Sequence, residues 1–174
     1  MANHTRFVLQ LIFSRSYCVP AARSKTVNMK ETVPPIRIQA TINAPLAKVW
    51  EYWTTPSHIM KWNHASDDWY TPHAENDLRK GGGFRSTMAA RDGSLSFRFS
   101  GTYTEVTPMS FIAYILADNR QVSITFRANG DSTTIEETFD PEQENSREQQ
   151  QEGWEAILNN FANYTGPVHP IQGS

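Results

Sequence analysis

From Ile36 the chain alternates apolar and polar positions as IRIQATI, which predicts a strand ending at Ile42 with one buried face. Asn43 then offers a helix cap and Pro45 sits at or near the first helical position, where its missing N–H costs little. Leu46, Val49, Trp50 and Trp53 recur at helical spacing, so an amphipathic helix follows. Thr55-Pro56 restarts the pattern, and Ile59, Met60 and Trp62 predict a second short helix. The stretch from Asn63 to about Gly82 reads as a polar loop.

Five strands are expected next: FRSTMAAR, SLSFRFSGTYTEV, FIAYILAD, QVSITFRA and TTIEETF. The breaks between them are short, at Asp92-Gly93, Pro108, Asp118-Asn119 and Asn129-Gly130, so neighbours in sequence should pair antiparallel. Asp92-Gly93 reads as a tight turn with both positions at positive φ. A last helix carries Trp154, Ile157, Leu158 and Phe161 on one stripe. Ser146 with Gln149 makes its capping box, and Gly166-Pro167 supplies its stop.

Alternation assigns each strand an inward face. Phe84, Ser86, Met88 and Ala90 share one face, and Leu95, Phe97, Phe99, Gly101 and Tyr103 the next. Ile112, Tyr114 and Leu116 are the preferred inward set of a strand apolar on both faces, which could also hide a homodimer contact. Val122, Ile124 and Phe126 face inward after it. In the final strand the set is Thr133, Ile135, Glu137 and Phe139, so a carboxylate points at the interior between two hydrophobes. Such a group must be paired, hydrated or protonated. A bulge that flips the strand's phase, or a wet position near the mouth, would make Glu137 ordinary. Gly153 is a second local violation, because glycine inside a helix costs about 1 kcal/mol relative to alanine. Close approach of helix to sheet, or room for a ligand, would explain it.

Composition narrows the function classes. A length of 174 residues predicts one domain, and 39% hydrophobic with 20% charged residues is ordinary for a globular chain. Net charge is −2 with no polybasic block, so nucleic acid has no electrostatic purchase. No apolar run reaches the ~20 residues of a bilayer span. Cys18 is the single cysteine, which rules out an intrachain disulfide and fits a reducing, cytoplasmic setting.

The charge is unevenly placed. Residues 1–30 hold five bases and no acid; the other 11 bases face all 18 acids, a balance of −7. Residues 1–30 are therefore expected to be a basic extension without a fold of its own, with Met29 as the natural start. A transit segment and a docked helix are the competing readings. The folded domain is expected over residues 31–166, with 167–174 as a tail.

The segments INAPLAKVWEYWTTPSHIMKW, ENDLRKGGGF, GTYTEVTP and ETFD, and the late Gly153-Trp154 pair, resemble in order and spacing the START-like SRPBCC superfamily. The branch is that of the C-terminal domain of the activator of the heat-shock-protein-90 ATPase, and the resemblance spans about Ile36 to Tyr164. It implies an α+β helix-grip fold: a six-stranded antiparallel curved sheet around a long C-terminal helix, with two short helices after the first strand. It also implies a cavity between helix and sheet that members use for lipids, sterols, polyketides and other apolar or amphipathic molecules. Some members are cyclases, aromatases or hydrolases. The activator's separate N-terminal domain has no counterpart here, so a chaperone partner is not expected.

Joined to the face assignments, the cavity is expected to be lined by Trp62, Trp69, Phe84, Met88, Phe97, Phe99, Tyr103 and Tyr114 from the loops and first strands. Ile124, Phe126, Ile135, Glu137, Trp154, Ile157, Leu158 and Phe161 should complete it. Binding requires at least roughly 300 Å³ there. Glu137 is the best candidate for an acid or base, with Tyr103 or Tyr114 as its hydrogen-bond partner. The loop carrying His64, Asp67, Asp68, His73 and Glu75 mixes possible metal ligands but shows no helical metal spacing, so a lid role is expected, with no metal and no cofactor. Gly81, Gly82 and Gly83 lack the Lys-Ser/Thr of a phosphate loop and precede a strand, so they read as a turn.

Overall fold

The computed structural model describes residues 33–166. The expectations about residues 1–30, the Met29 start and the tail from residue 167 therefore lie outside, or almost wholly outside, the described residues. In chain order the elements are β1 (Ile36–Ile42), α1 (Leu46–Thr54), α2 (Pro56–Trp62), β2 (Trp69–Asn76), β3 (Gly83–Ala90), β4 (Ser96–Thr107), β5 (Phe111–Leu116), β6 (Gln121–Asn129), β7 (Ser132–Phe139) and α3 (Arg147–Thr165). One antiparallel sheet runs β1-β7-β6-β5-β4-β3-β2 and curls around α3. The chain enters at one edge, crosses through α1 and α2 to the other edge, and returns as a meander that ends beside β1.

The sheet has seven strands among the described residues, not six. The added one is β2, in the stretch expected to be a polar loop. Proline within WYTPHAEN argues against a strand. The sheet accommodates Pro72 because β2 is an edge strand, and its register on β3 slips between Tyr70 and His73, around the proline. Trp69 and Thr71 are buried before this bulge and Ala74 after it.

The assigned faces hold in the other strands. Ile36 and Ile38, Ser86 and Met88, Ile112 and Tyr114, Val122 and Ile124, and Ile135 and Glu137 are all buried. Leu95 departs: it lies before β4 and is exposed. Two local expectations also change. The residue that caps α1 is Pro45, and no side chain caps that end, so Asn43 is not its cap. Asn43 instead packs on the end of α3, where a Cβ on Gly166 would lie 2.6 Å from the Asn43 carbonyl oxygen. At the β3–β4 turn only Gly93 has positive φ, because the connection is five residues long rather than a two-residue turn.

α3 begins with the expected capping box, in which Ser146 and Gln149 exchange side-chain-to-backbone hydrogen bonds. One turn on, buried Gln150 accepts from the Glu142 N–H and donates to the carbonyls of Glu142 and Asn145, which ties the β7–α3 connection to the helix. At the other end, Trp53, Trp62 and Phe161 pack as a closed trio with centroids 4.8–4.9 Å apart. Trp50 and Trp53 also meet Phe126 edge-on. Asn160 Nδ2 donates to the Trp62 carbonyl at 2.7 Å, so α2 is pinned to α3. Burying rings of this size stabilises the domain by roughly 2–3 kcal/mol each.

Candidate functional site

The packing is not uniform along α3. Between the Trp53–Trp62–Phe161 trio and Trp154 the concave face leaves a cavity. Tyr114, Ile112, Ile124 and Glu137 form its floor on the sheet. Phe84, Ser86, Phe99 and Tyr103 make one wall, and Trp154 and Ile157 of α3 face them. Trp53, Ile59, Trp62 and Asn63 close it from α1 and α2, and Glu75 of β2 stands among the lining residues. The space open to water-sized groups is about 90 Å³, and all unfilled space including the solvent-open mouth is about 750 Å³. The interior thus falls short of the roughly 300 Å³ required to enclose a ligand, because Phe84 reaches in over Gly101 and meets Tyr114 edge-on at 4.8 Å. Only part of a ligand fits inside, and the rest would lie in the open mouth. A side chain at position 101 would collide with that ring, since a Cβ there lies 2.8 Å from it.

The structure gathers Trp62, Phe84, Phe99, Tyr103, Tyr114, Ile124, Glu137, Trp154 and Ile157 at this cavity. It sends the other expected lining residues elsewhere. Trp69 and Met88 are buried with Ala90 in a second, smaller core on the outer strands, and Phe97 packs against them, with its ring 5.5 Å from Trp69. The sheet's curl carries these residues past the end of α3. Phe126, Ile135, Leu158 and Phe161 belong to the solid core under α1 and do not line the cavity. Trp53, Ile59, Asn63, Ser86, Ile112 and Glu75 line it without having been named for it. Ser86 and Ile112 lay on faces already read as inward; Glu75 was hidden by the loop reading of β2.

Glu137 sits between Ile38 of β1 and Ile124 of β6 in the ladder and is 4% exposed. It forms no hydrogen bond or ion pair with any described residue, and burial alone pushes its carboxyl up to about 8. At neutral pH it is therefore mostly a neutral acid. Tyr114 beside it is raised well above the ordinary phenol value, first by burial and then by the Glu137 charge. Neither tyrosine is the hydrogen-bond partner expected for Glu137. Tyr103 donates to Asn76 Oδ1 at 2.7 Å instead, because β2 brings an amide within reach.

Glu75 has the opposite environment. His73 Nε2 lies 2.9 Å away and Arg85 Nη2 donates to both oxygens at 2.6–2.7 Å, which holds the carboxyl below the usual range. Glu75 is exposed and lies opposite Arg85 in the β2–β3 ladder, so its carboxylate is on the strand face away from Phe84 and Ser86 and does not enter the cavity. His64 is held low chiefly by burial, and Asn160 donates to its Nε2 at 3.0 Å. Among the described residues no three His, Cys, Asp or Glu side chains converge as a metal site, and no helix is long and apolar enough to cross a membrane.

A curled antiparallel sheet gripping a C-terminal helix over an aromatic hollow is the helix-grip architecture of the START-like SRPBCC superfamily. Residues 43–166 match the family model of Activator of Hsp90 ATPase homolog 1-like proteins, and the chain belongs to that family. The protein Chr148 from Cytophaga hutchinsonii is 52% identical over 75% of this chain and 91% of its own, with a TM-score of 0.67. The AHSA1-like protein from Aeromonas hydrophila is 37% identical over 80% of this chain and 100% of its own, with a TM-score of 0.70. CV1439 from Chromobacterium violaceum, 21% identical over 77% of this chain and 99% of its own, shares the fold with a TM-score of 0.69. No curated protein matches the chain.

Proposed function

We propose that this domain binds a small amphipathic molecule in the helix–sheet cavity. The observation that carries this is Glu137, a buried carboxyl with no partner among the described residues, facing a hollow lined mainly by aromatic and aliphatic side chains. A core selected only for stability would fill the hollow and replace the acid, because each costs folding free energy. A ligand with a polar head and an apolar body satisfies both. Its head enters the 90 Å³ interior, room for about three water-sized groups, and its body lies in the wider mouth. The single cysteine supports a cytoplasmic setting for this binding.

A second reading is an enzyme of the cyclase or hydrolase type. It is favoured by a neutral Glu137, able to give a proton, beside the Tyr114 phenol on the same cavity.

The test is titration of the full chain with a panel of small aromatic alcohols, followed by the indole N–H signals of Trp62 and Trp154. Saturable shifts are expected in the wild type. They should weaken at least tenfold in Ile157→Trp, which fills the mouth from the exposed side of α3. Absence of saturable binding, or binding indifferent to Ile157→Trp, would contradict the proposal.

A further inference from the structure

We infer that the polar head this cavity takes is a protonated amine, held between the Glu137 carboxylate and the Tyr114 hydroxyl against aromatic ring faces. The inference rests on the binding reading above and names the ligand's chemical class. Three observations carry it.

The first is the sign of the lining. Seven of the fifteen lining residues are aromatic and none is a base. Glu137 is the carboxyl that faces the space, since that of Glu75 is bound to Arg85 on the other strand face. Aromatic faces carry the negative side of the ring quadrupole, so they favour a cation and disfavour an anion. The bases at the cavity's margin are already engaged: Arg85 donates to Glu75 at 2.6–2.7 Å, and Nε of Arg120, whose charge acts on Tyr114, is 2.8 Å from Asp118 Oδ2.

The second is unspent hydrogen-bonding capacity at one place. Glu137 and Tyr114 both line the cavity and neither bonds to any described residue. They are close enough for the carboxylate charge to act on the phenol. An ammonium group has three donors and no acceptor. It can give one to the carboxylate and one to the hydroxyl oxygen, and turn the third toward a ring. A carboxylate or phosphate head would meet Glu137 as a like charge. A carbonyl would use one O–H and leave the ring faces without electrostatic purpose.

The third is size. The interior holds about three water-sized groups, which an aminomethyl or aminoethyl terminus fills, and the mouth beyond is walled by Trp53, Trp62 and Trp154.

Occupation by a cation changes the protonation of the site. The titratable groups on the elements around Glu137 are Tyr114 on β5, Tyr103 on β4 and Glu75 on β2. Both tyrosines stay neutral and Glu75 is already ionised below neutrality. The proton displaced at pH 7 therefore comes from Glu137, which is mostly protonated before binding.

The experiment is calorimetry and NMR on the full chain at pH 7 with phenethylamine and its neutral isostere 2-phenylethanol, in two buffers of different ionisation enthalpy. The amine should bind on the order of tenfold tighter than the alcohol and release most of one proton. Glu137→Gln should cost the amine at least tenfold and abolish the proton release, while changing alcohol affinity less than threefold. Alcohol binding as tight as the amine, or amine binding that survives Glu137→Gln, overturns the amine assignment and leaves the cavity reading intact. If neither compound shifts a cavity signal, both readings fail together.

Discussion

The two ends of α3 rest on similar residues and end in different states. Around Phe161, Trp53 and Trp62 close on the ring from two sides, and little space remains. Around Trp154, the ring stacks on Phe139 at 4.2 Å, and the cavity opens between Trp154 and the sheet residues Tyr114 and Glu137. Aromatic density is thus no measure of solid packing. What differs is the third layer: α1 and α2 deliver tryptophans directly onto Phe161, whereas over Glu137 the same tryptophans and Trp154 stand around a cavity. The first end holds the fold and the second is free to hold something else.

The largest effect that separates the ends is expected at Phe161. Phe161→Ala removes the centre of the closed trio and should destabilise by about 3–5 kcal/mol in urea unfolding. An equal loss from truncation at the cavity mouth, where Ile157 is only partly buried, would erase the distinction.

Next comes the pH dependence of stability. Glu137 has a folded value of about 8 against an ordinary 4.5. Between those values the unfolded chain binds fewer protons than the folded one, so stability must fall as pH rises. The contribution is fully present below about pH 4.5 and gone above about pH 8. From pH 5 to 7.5 the wild type should lose about 3 kcal/mol relative to Glu137→Gln, whose profile lacks this slope. Parallel profiles would mean that the carboxyl is not buried as described.

The smallest effect belongs to the cap. Ser146→Ala removes the hydroxyl that accepts from the Gln149 N–H and leaves the residue 146 N–H bond to the Gln149 side chain in place. It should cost about 1 kcal/mol by thermal unfolding, without altering the Trp62 or Trp154 indole signals. A shift in those signals would show that the cavity depends on the helix start.

Much of this architecture was legible in the sequence, for reasons that vary by element. The alternation of β6 and β7 was strict, so Glu137 could be placed on the inner face before any coordinates. The helical spacing of Leu46, Val49, Trp50 and Trp53 was equally plain. β2 was not legible, because Pro72 and the adjoining bulge break its alternation, and with it went Glu75 and Asn76. The extent of the cavity was not legible either. Alternation says that Met88, Phe97 and Phe126 point inward, but the curl of the sheet decides what each one meets. It takes Met88 and Phe97 beyond the helix and puts Phe126 beneath Trp50 and Trp53.

The most direct measurement is a pH titration of the Glu137 side-chain carboxyl by carbon-detected NMR on the ligand-free protein. The account predicts a midpoint near 8, with the Tyr114 ring signals following the same transition. A midpoint near the ordinary 4.5, with Tyr114 silent, would show a solvated or paired carboxylate and contradict the claim that this hollow awaits a polar head group.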